Sequence, residues 1–68
     1  MYVVIEEKIE DLINGRTNVE IAHEAGITKE YFSYIRNGKE CSKVLAYCLV
    51  KLRNIDAEIE DYFVRKDS

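Results

Sequence analysis

The stretch Thr17-Asn18-Val19-Glu20-Ile21-Ala22-His23-Glu24-Ala25-Gly26-Ile27-Thr28-Lys29-Glu30-Tyr31-Phe32-Ser33-Tyr34-Ile35-Arg36-Asn37-Gly38-Lys39 decides the fold. Thr17 and Glu20 have the spacing of a capping box: the Thr hydroxyl accepts from the amide three residues on, while the Glu carboxylate reaches back to the Thr amide. This opens a helix of barely two turns, to about residue 25. Gly26 stands where its apolar pattern stops, the usual place of a C-terminal glycine. Thr28 is a second N-cap and opens another short helix over about residues 29–37, which Gly38 ends.

Working outward, residues 3–14 place Ile5, Ile9, Leu12 and Ile13 on one helical stripe, with Glu6, Glu7 and Glu10 facing away and Gly15 as the stop. Ser42 caps a fourth helix to Arg53, with Leu45, Cys48, Leu49 and Leu52 on one face. Asp56 starts a fifth, to about Val64, with Ile59, Tyr62 and Phe63 as its apolar side. No stretch alternates apolar and polar residues for long, so strands are not expected. The expected class is all-α, a compact five-helix single domain over residues 1–68 around a 17–39 core motif, with a frayed tail from Arg65 to Ser68.

At 68 residues and 7.9 kDa the chain supports one core. Apolar residues make up 47% and charged residues 34%, a globular balance that excludes disorder by low hydrophobicity. No apolar run approaches the roughly 18 residues of a membrane span. Glu6, Glu7 and Lys8 follow the first five residues with no basic region or cleavage site of a secretory leader, so the expected location is cytoplasmic. Cys41, Cys48 and the lone His23 are too few soft ligands for a closed zinc site, and in a reducing compartment the cysteines read as small apolar fillers. There is no Gly-rich phosphate loop and no nucleophile with a partnered base; neither catalysis nor a cofactor is expected.

Charge is distributed unevenly. Residues 1–27 hold two basic and six acidic side chains, residues 28–53 six and two, and residues 54–68 two and five, so the segments carry −4, +4 and −3 within a chain of net charge −3. A two-turn helix, a turn containing Gly and a second short helix is the plan of a helix-turn-helix, whose second helix enters the major groove of DNA. At 100° per residue, with Phe32 and Ile35 inward, Glu30, Ser33, Tyr34 and Asn37 point outward. Lys29 lies at the flank of the N-terminal end, and Lys39 and Lys43 follow in the next loop.

At Ile21-Ala22, Ala25-Gly26-Ile27-Thr28, Phe32-Ser33, Ile35 and Asn37-Gly38-Lys39 the chain resembles the lambda-repressor and Cro-like family of helix-turn-helix DNA-binding proteins. Leu52-Arg53-Asn54-Ile55-Asp56 looks like that family's junction between its last two helices, so the resemblance covers nearly the whole chain. It implies a lambda-repressor-like fold. It also implies that Lys29, Glu30, Ser33 and Tyr34 read bases while Asn18 and Asn37 hold phosphates. The family commonly joins an arginine of its first helix to a glutamate of its third, and the matching positions here are Asp11 and Arg36, with charges exchanged, which gives an expected salt bridge.

Each residue also has a plainer role open to it. Glu30 can serve only the helix dipole, Lys39 and Lys43 can be solvated, Tyr34 can pack on the fourth helix, His23 can be a surface residue, and Tyr31 is expected half-buried beside Ile35. Ile55, Ile59, Tyr62 and Phe63 offer more apolar surface than a terminal helix needs, so some of it is a candidate for a symmetric dimer contact, the alternative being that all four simply close the core. The expected function is a small phage or mobile-element transcriptional regulator that binds a double-stranded operator as a homodimer. A pI near 5.1 keeps a rival open, in which the same scaffold binds a basic, nucleic-acid-handling protein partner.

Overall fold

A computed structural model describes residues 1–66. The chain opens as a strand: β1 (Tyr2–Val4) leads through a 3-10 turn at Glu6–Lys8 into α1 (Ile9–Ile13). The helix expected from residue 3 is therefore only five residues long. Val3, Val4 and Ile5 are β-branched, with low helix propensity and a preference for extended backbone. Leu12 and Ile13 are buried and Ile5 and Ile9 half-buried, so the expected stripe does face the core.

Three helices follow: α2 (Asn18–Ala25), α3 (Lys29–Arg36) and α4 (Lys43–Arg53). Their N-caps are those expected. Thr17 Oγ1 accepts from the Glu20 amide (3.1 Å) while Glu20 Oε1 accepts from the Thr17 amide (2.9 Å). Thr28 Oγ1 accepts from the Tyr31 amide (3.0 Å) and Ser42 Oγ from that of Leu45 (3.2 Å). At the end of α2, Gly26 takes φ 72°, the Ile27 amide donates to the Ala22 carbonyl (3.0 Å) and the Gly26 amide to that of His23 (3.3 Å). This is a Schellman closure. α3 ends the same way around Gly38, with Lys39 donating to Tyr34 and Gly38 to Ile35.

The fifth helix, expected over residues 56–64, is absent. Asn54 Oδ1 accepts from the Asp56 amide (3.0 Å), making a turn where a helix start was expected, and only a 3-10 turn forms at Ile59–Asp61. β2 (Phe63–Arg65) then pairs antiparallel with β1, setting Tyr2 against Arg65, Val3 against Val64 and Val4 against Phe63. The Phe63-Val64 pair suits a pleated surface, and the pairing buries Phe63 and Val4 together on the core side. A two-stranded ribbon is marginal alone. Here it is also tied to the α3–α4 connection, since Tyr2 and Cys41 exchange two backbone hydrogen bonds of 2.8 Å. The tail does not fray at Arg65, because Lys66 donates to the Met1 carbonyl (2.8 Å); Asp67 and Ser68 lie outside the described residues.

The result is a mostly helical small domain with four α-helices and a short two-stranded sheet, measuring 30 × 25 × 21 Å. Its core joins Leu12, Ile13, Ile21, Phe32, Ile35, Leu49, Val50 and Phe63. The buried face of α4 is Ala46, Leu49 and Val50, rotated from the expected Leu45, Cys48, Leu49 and Leu52; Leu52 is exposed. The small Ala46 of α4 and Ala22 of α2 are both buried, and the two helices pack together. Among the described residues no helix is long and apolar enough to cross a membrane.

Candidate nucleic-acid interface

The orientation of α3 follows from its two inward residues. Phe32 and Ile35 are each 1% exposed, which turns Glu30, Tyr34 and Asn37 to solvent and leaves Ser33 half-buried. Thr28 and Gly38 fix where this helix begins and ends, and the short α2–α3 turn holds it against α2. Asn18, the first residue of α2, is thereby brought beside Lys29, Glu30, Ser33, Tyr34 and Asn37. The six line one open depression of about 430 Å³. Among the described residues the side chains of Lys29, Glu30, Ser33 and Tyr34 make no hydrogen bond or ion pair inside the protein, so their polar atoms are free for an outside partner.

Lys39 and Lys43 do not line this depression. They are exposed in the connection to α4 and at its first residue. His23 is exposed on α2, and Tyr31, at 40% exposure, is more open than the half-buried position expected for it. A second depression, lined in part by Val4, Glu6, Glu10 and Arg36, lies on the β1 and α1 side.

The expected salt bridge between Asp11 and Arg36 is not formed. Arg36 Nη1 donates instead to Asn18 Oδ1 (3.0 Å). Asp11 is taken by the C-terminus of α4: Arg53 Nη2 donates to Asp11 Oδ1 (2.9 Å) and Arg53 Nε to the Asp11 carbonyl (2.7 Å), while the Tyr62 hydroxyl donates to Asp11 Oδ2 (3.0 Å). These hydrogen bonds, Tyr62 first, hold the Asp11 carboxyl below the usual carboxylate range. Burial, and then the bond to Asp11, push the Tyr62 phenol up. The Thr17 amide and hydroxyl lower Glu20 in the same way. Burial raises the Cys41 thiol, which keeps it protonated; both cysteines are free.

The four dimer candidates do not share a surface. Ile59, Tyr62 and Phe63 are buried in the core, because the 3-10 turn and β2 fold them inward, and only Ile55 is exposed, at 74%.

Three cations that sequence reasoning passed over hold the scaffold. Arg16 donates to the Leu12 and Ile13 carbonyls at the end of α1 and pairs with Glu24 of α2 (2.9 Å). A basic residue just after Gly15 was the available signal for this, since cations favour helix C-termini. Lys51 Nζ donates to the Ile55 and Ala57 carbonyls and sits 5.3 Å from the Tyr47 ring centroid. Arg53 meets Asp11 across 42 residues, a pairing that no local pattern announces. Among the described residues no three His, Cys, Asp or Glu side chains are grouped to hold a metal ion. Comparison with protein-family models, curated proteins and solved structures gives no match to this chain.

Proposed function

We propose that the chain is a small DNA-binding transcriptional regulator, with α2 and α3 acting as a helix-turn-helix and α3 entering the major groove of a short operator. One observation carries this reading: Asn18 and the outward residues of α3 converge on a single open surface with their polar groups largely uncommitted. The chemistry suits base edges and phosphates. Lys29 can donate to guanine, Glu30 can accept from cytosine N4, Ser33 is permissive, and Tyr34 can pack on a thymine methyl group. Asn18 and Asn37, which line the same surface, can hold phosphates through their side-chain amides. Lys39 and Lys43, outside the depression, supply long-range attraction and backbone contacts. Regulation of this kind needs no reaction at the site and no cofactor. A single copy offers few contacts, so specific binding uses two copies on half-sites about one helical turn apart.

The rival is a protein partner. It is favoured by the net charge of −3 and by exposed apolar residues outside this surface, Val44 and Tyr47 of α4 and Ile55 after it. A fluorescence titration with duplex fragments from upstream of the protein's own gene, repeated at several salt concentrations, separates the two. DNA binding predicts an affinity that falls by about 0.9 log units per log unit of salt for each phosphate neutralised. No binding to any duplex at low salt overturns the DNA reading.

A further inference from the structure

Arg36 is the last residue of α3 and Asn18 the first of α2, 18 positions apart, yet their side chains meet at 3.0 Å. Both are half-buried, so the contact is partly shielded from water. A guanidinium has five N–H donors and no acceptor. The group of Asn18 that faces it must therefore be the carbonyl oxygen, and the amide nitrogen takes the opposite side of the carboxamide. That nitrogen donates to nothing within the described residues, and Asn18 lines the depression shared with Lys29, Ser33 and Asn37.

We infer that Arg36 is a positioning residue: it locks the Asn18 carboxamide so that Nδ2 is presented as a donor to a phosphate oxygen of bound DNA, without Arg36 touching the DNA itself. This rests on the DNA-binding reading and assigns Arg36 a role distinct from that of a basic backbone contact. A free asparagine amide must select one rotamer and one flip state on binding, and the guanidinium makes that selection in advance. The same bond joins the start of α2 to the end of α3.

The test is fluorescence anisotropy with one mixed-sequence duplex of about 20 base pairs from the upstream region, on the wild-type protein, Arg36→Met, Asn18→Ala, their double variant and Asn18→Asp, each checked for folding by its circular-dichroism melt. Arg36→Met and Asn18→Ala should each weaken binding about tenfold, and the double variant should be no weaker than either. The salt slope of Arg36→Met should equal that of wild type, because a neutral amide on a phosphate releases no counterion. Asn18→Asp keeps the acceptor for Arg36 but loses the donor; it should melt like wild type and bind at least as weakly as Asn18→Ala. A slope reduced by about 0.9 in Arg36→Met, with losses that add in the double variant, would show that Arg36 meets a phosphate directly and overturn the inference. So would wild-type affinity in Asn18→Asp, which remains informative if Arg36→Met fails to fold. Failure of the DNA reading looks different: the wild-type protein itself would bind no duplex.

Discussion

Asp11 accepts from two parts of the chain that α1 alone would not bring together, the end of α4 through Arg53 and the approach to β2 through Tyr62. Its folded-state pKa is depressed, so its contribution to stability is present above the ordinary aspartate pKa and is lost as pH falls through the lowered value. Acid unfolding below about pH 4 should therefore begin later in Asp11→Asn, relative to that variant's own neutral-pH stability, than in wild type; parallel acid limbs in a pH series of urea melts would contradict this. The partner is equally testable. Stability losses of Asp11→Ala and Arg53→Ala should fall short of additive in the double variant, whereas those of Asp11→Ala and Arg36→Ala should add. Coupling between Asp11 and Arg36 would mean that the pairing implied by family resemblance prevails in solution. Resemblance supplied the positions, but it could not supply Arg53: which cation reaches a carboxylate depends on how α4 packs on α1, a tertiary fact with no local trace.

The helical elements were legible wherever their ends are written in short-range chemistry. Thr17 with Glu20, Thr28 and Ser42 cap the three longest helices, and Gly26 and Gly38 close two of them, because each device works within five residues. Gly26→Ala tests this directly. A Cβ there meets open space, so the cost is the left-handed backbone alone, about 1 kcal/mol by urea denaturation, with Gly26→Asn milder; no loss in Gly26→Ala would mean the turn is not held at φ 72°. The strands were not legible. Three residues are too few to show alternation, and β1 and β2 are extended because they pair with each other across some 60 positions. Ile59, Tyr62 and Phe63 have helical spacing, but their apolar side is buried by the turn and the ribbon. Phe63→Ala should accordingly cost about 3–5 kcal/mol of monomer stability, enough to unfold most of a domain this small. A folded Phe63→Ala protein that had lost only self-association would restore Phe63 to a dimer contact.

Across the whole molecule, the central +4 segment overstates the charge that the α3 surface presents. Lys51 and Arg53 lie at the C-terminal end of α4, held by the 55–57 loop and Asp11, whereas Arg36 keeps its charge because its partner Asn18 is neutral, leaving Lys29, Arg36, Lys39 and Lys43 against Glu30 and Glu40. Under the DNA reading this gives weak nonspecific attraction and dependence on directed contacts, so the salt dependence should be shallow, about 0.9 log units of affinity per log unit of salt for each of the few phosphates neutralised. The surface itself was largely legible, since helical geometry with Phe32 and Ile35 inward sorts α3 without any tertiary information. Its charge balance was not, because it depends on where the fold places each cation. The most direct measurement is an amide and side-chain NMR titration of the labelled protein with an upstream duplex at low salt. Shifts should concentrate at Asn18, Lys29, Glu30, Ser33, Tyr34 and Asn37, with smaller ones at Lys39 and Lys43; shifts centred on Val44, Tyr47 and Ile55, or none at all, would contradict a DNA-facing α3.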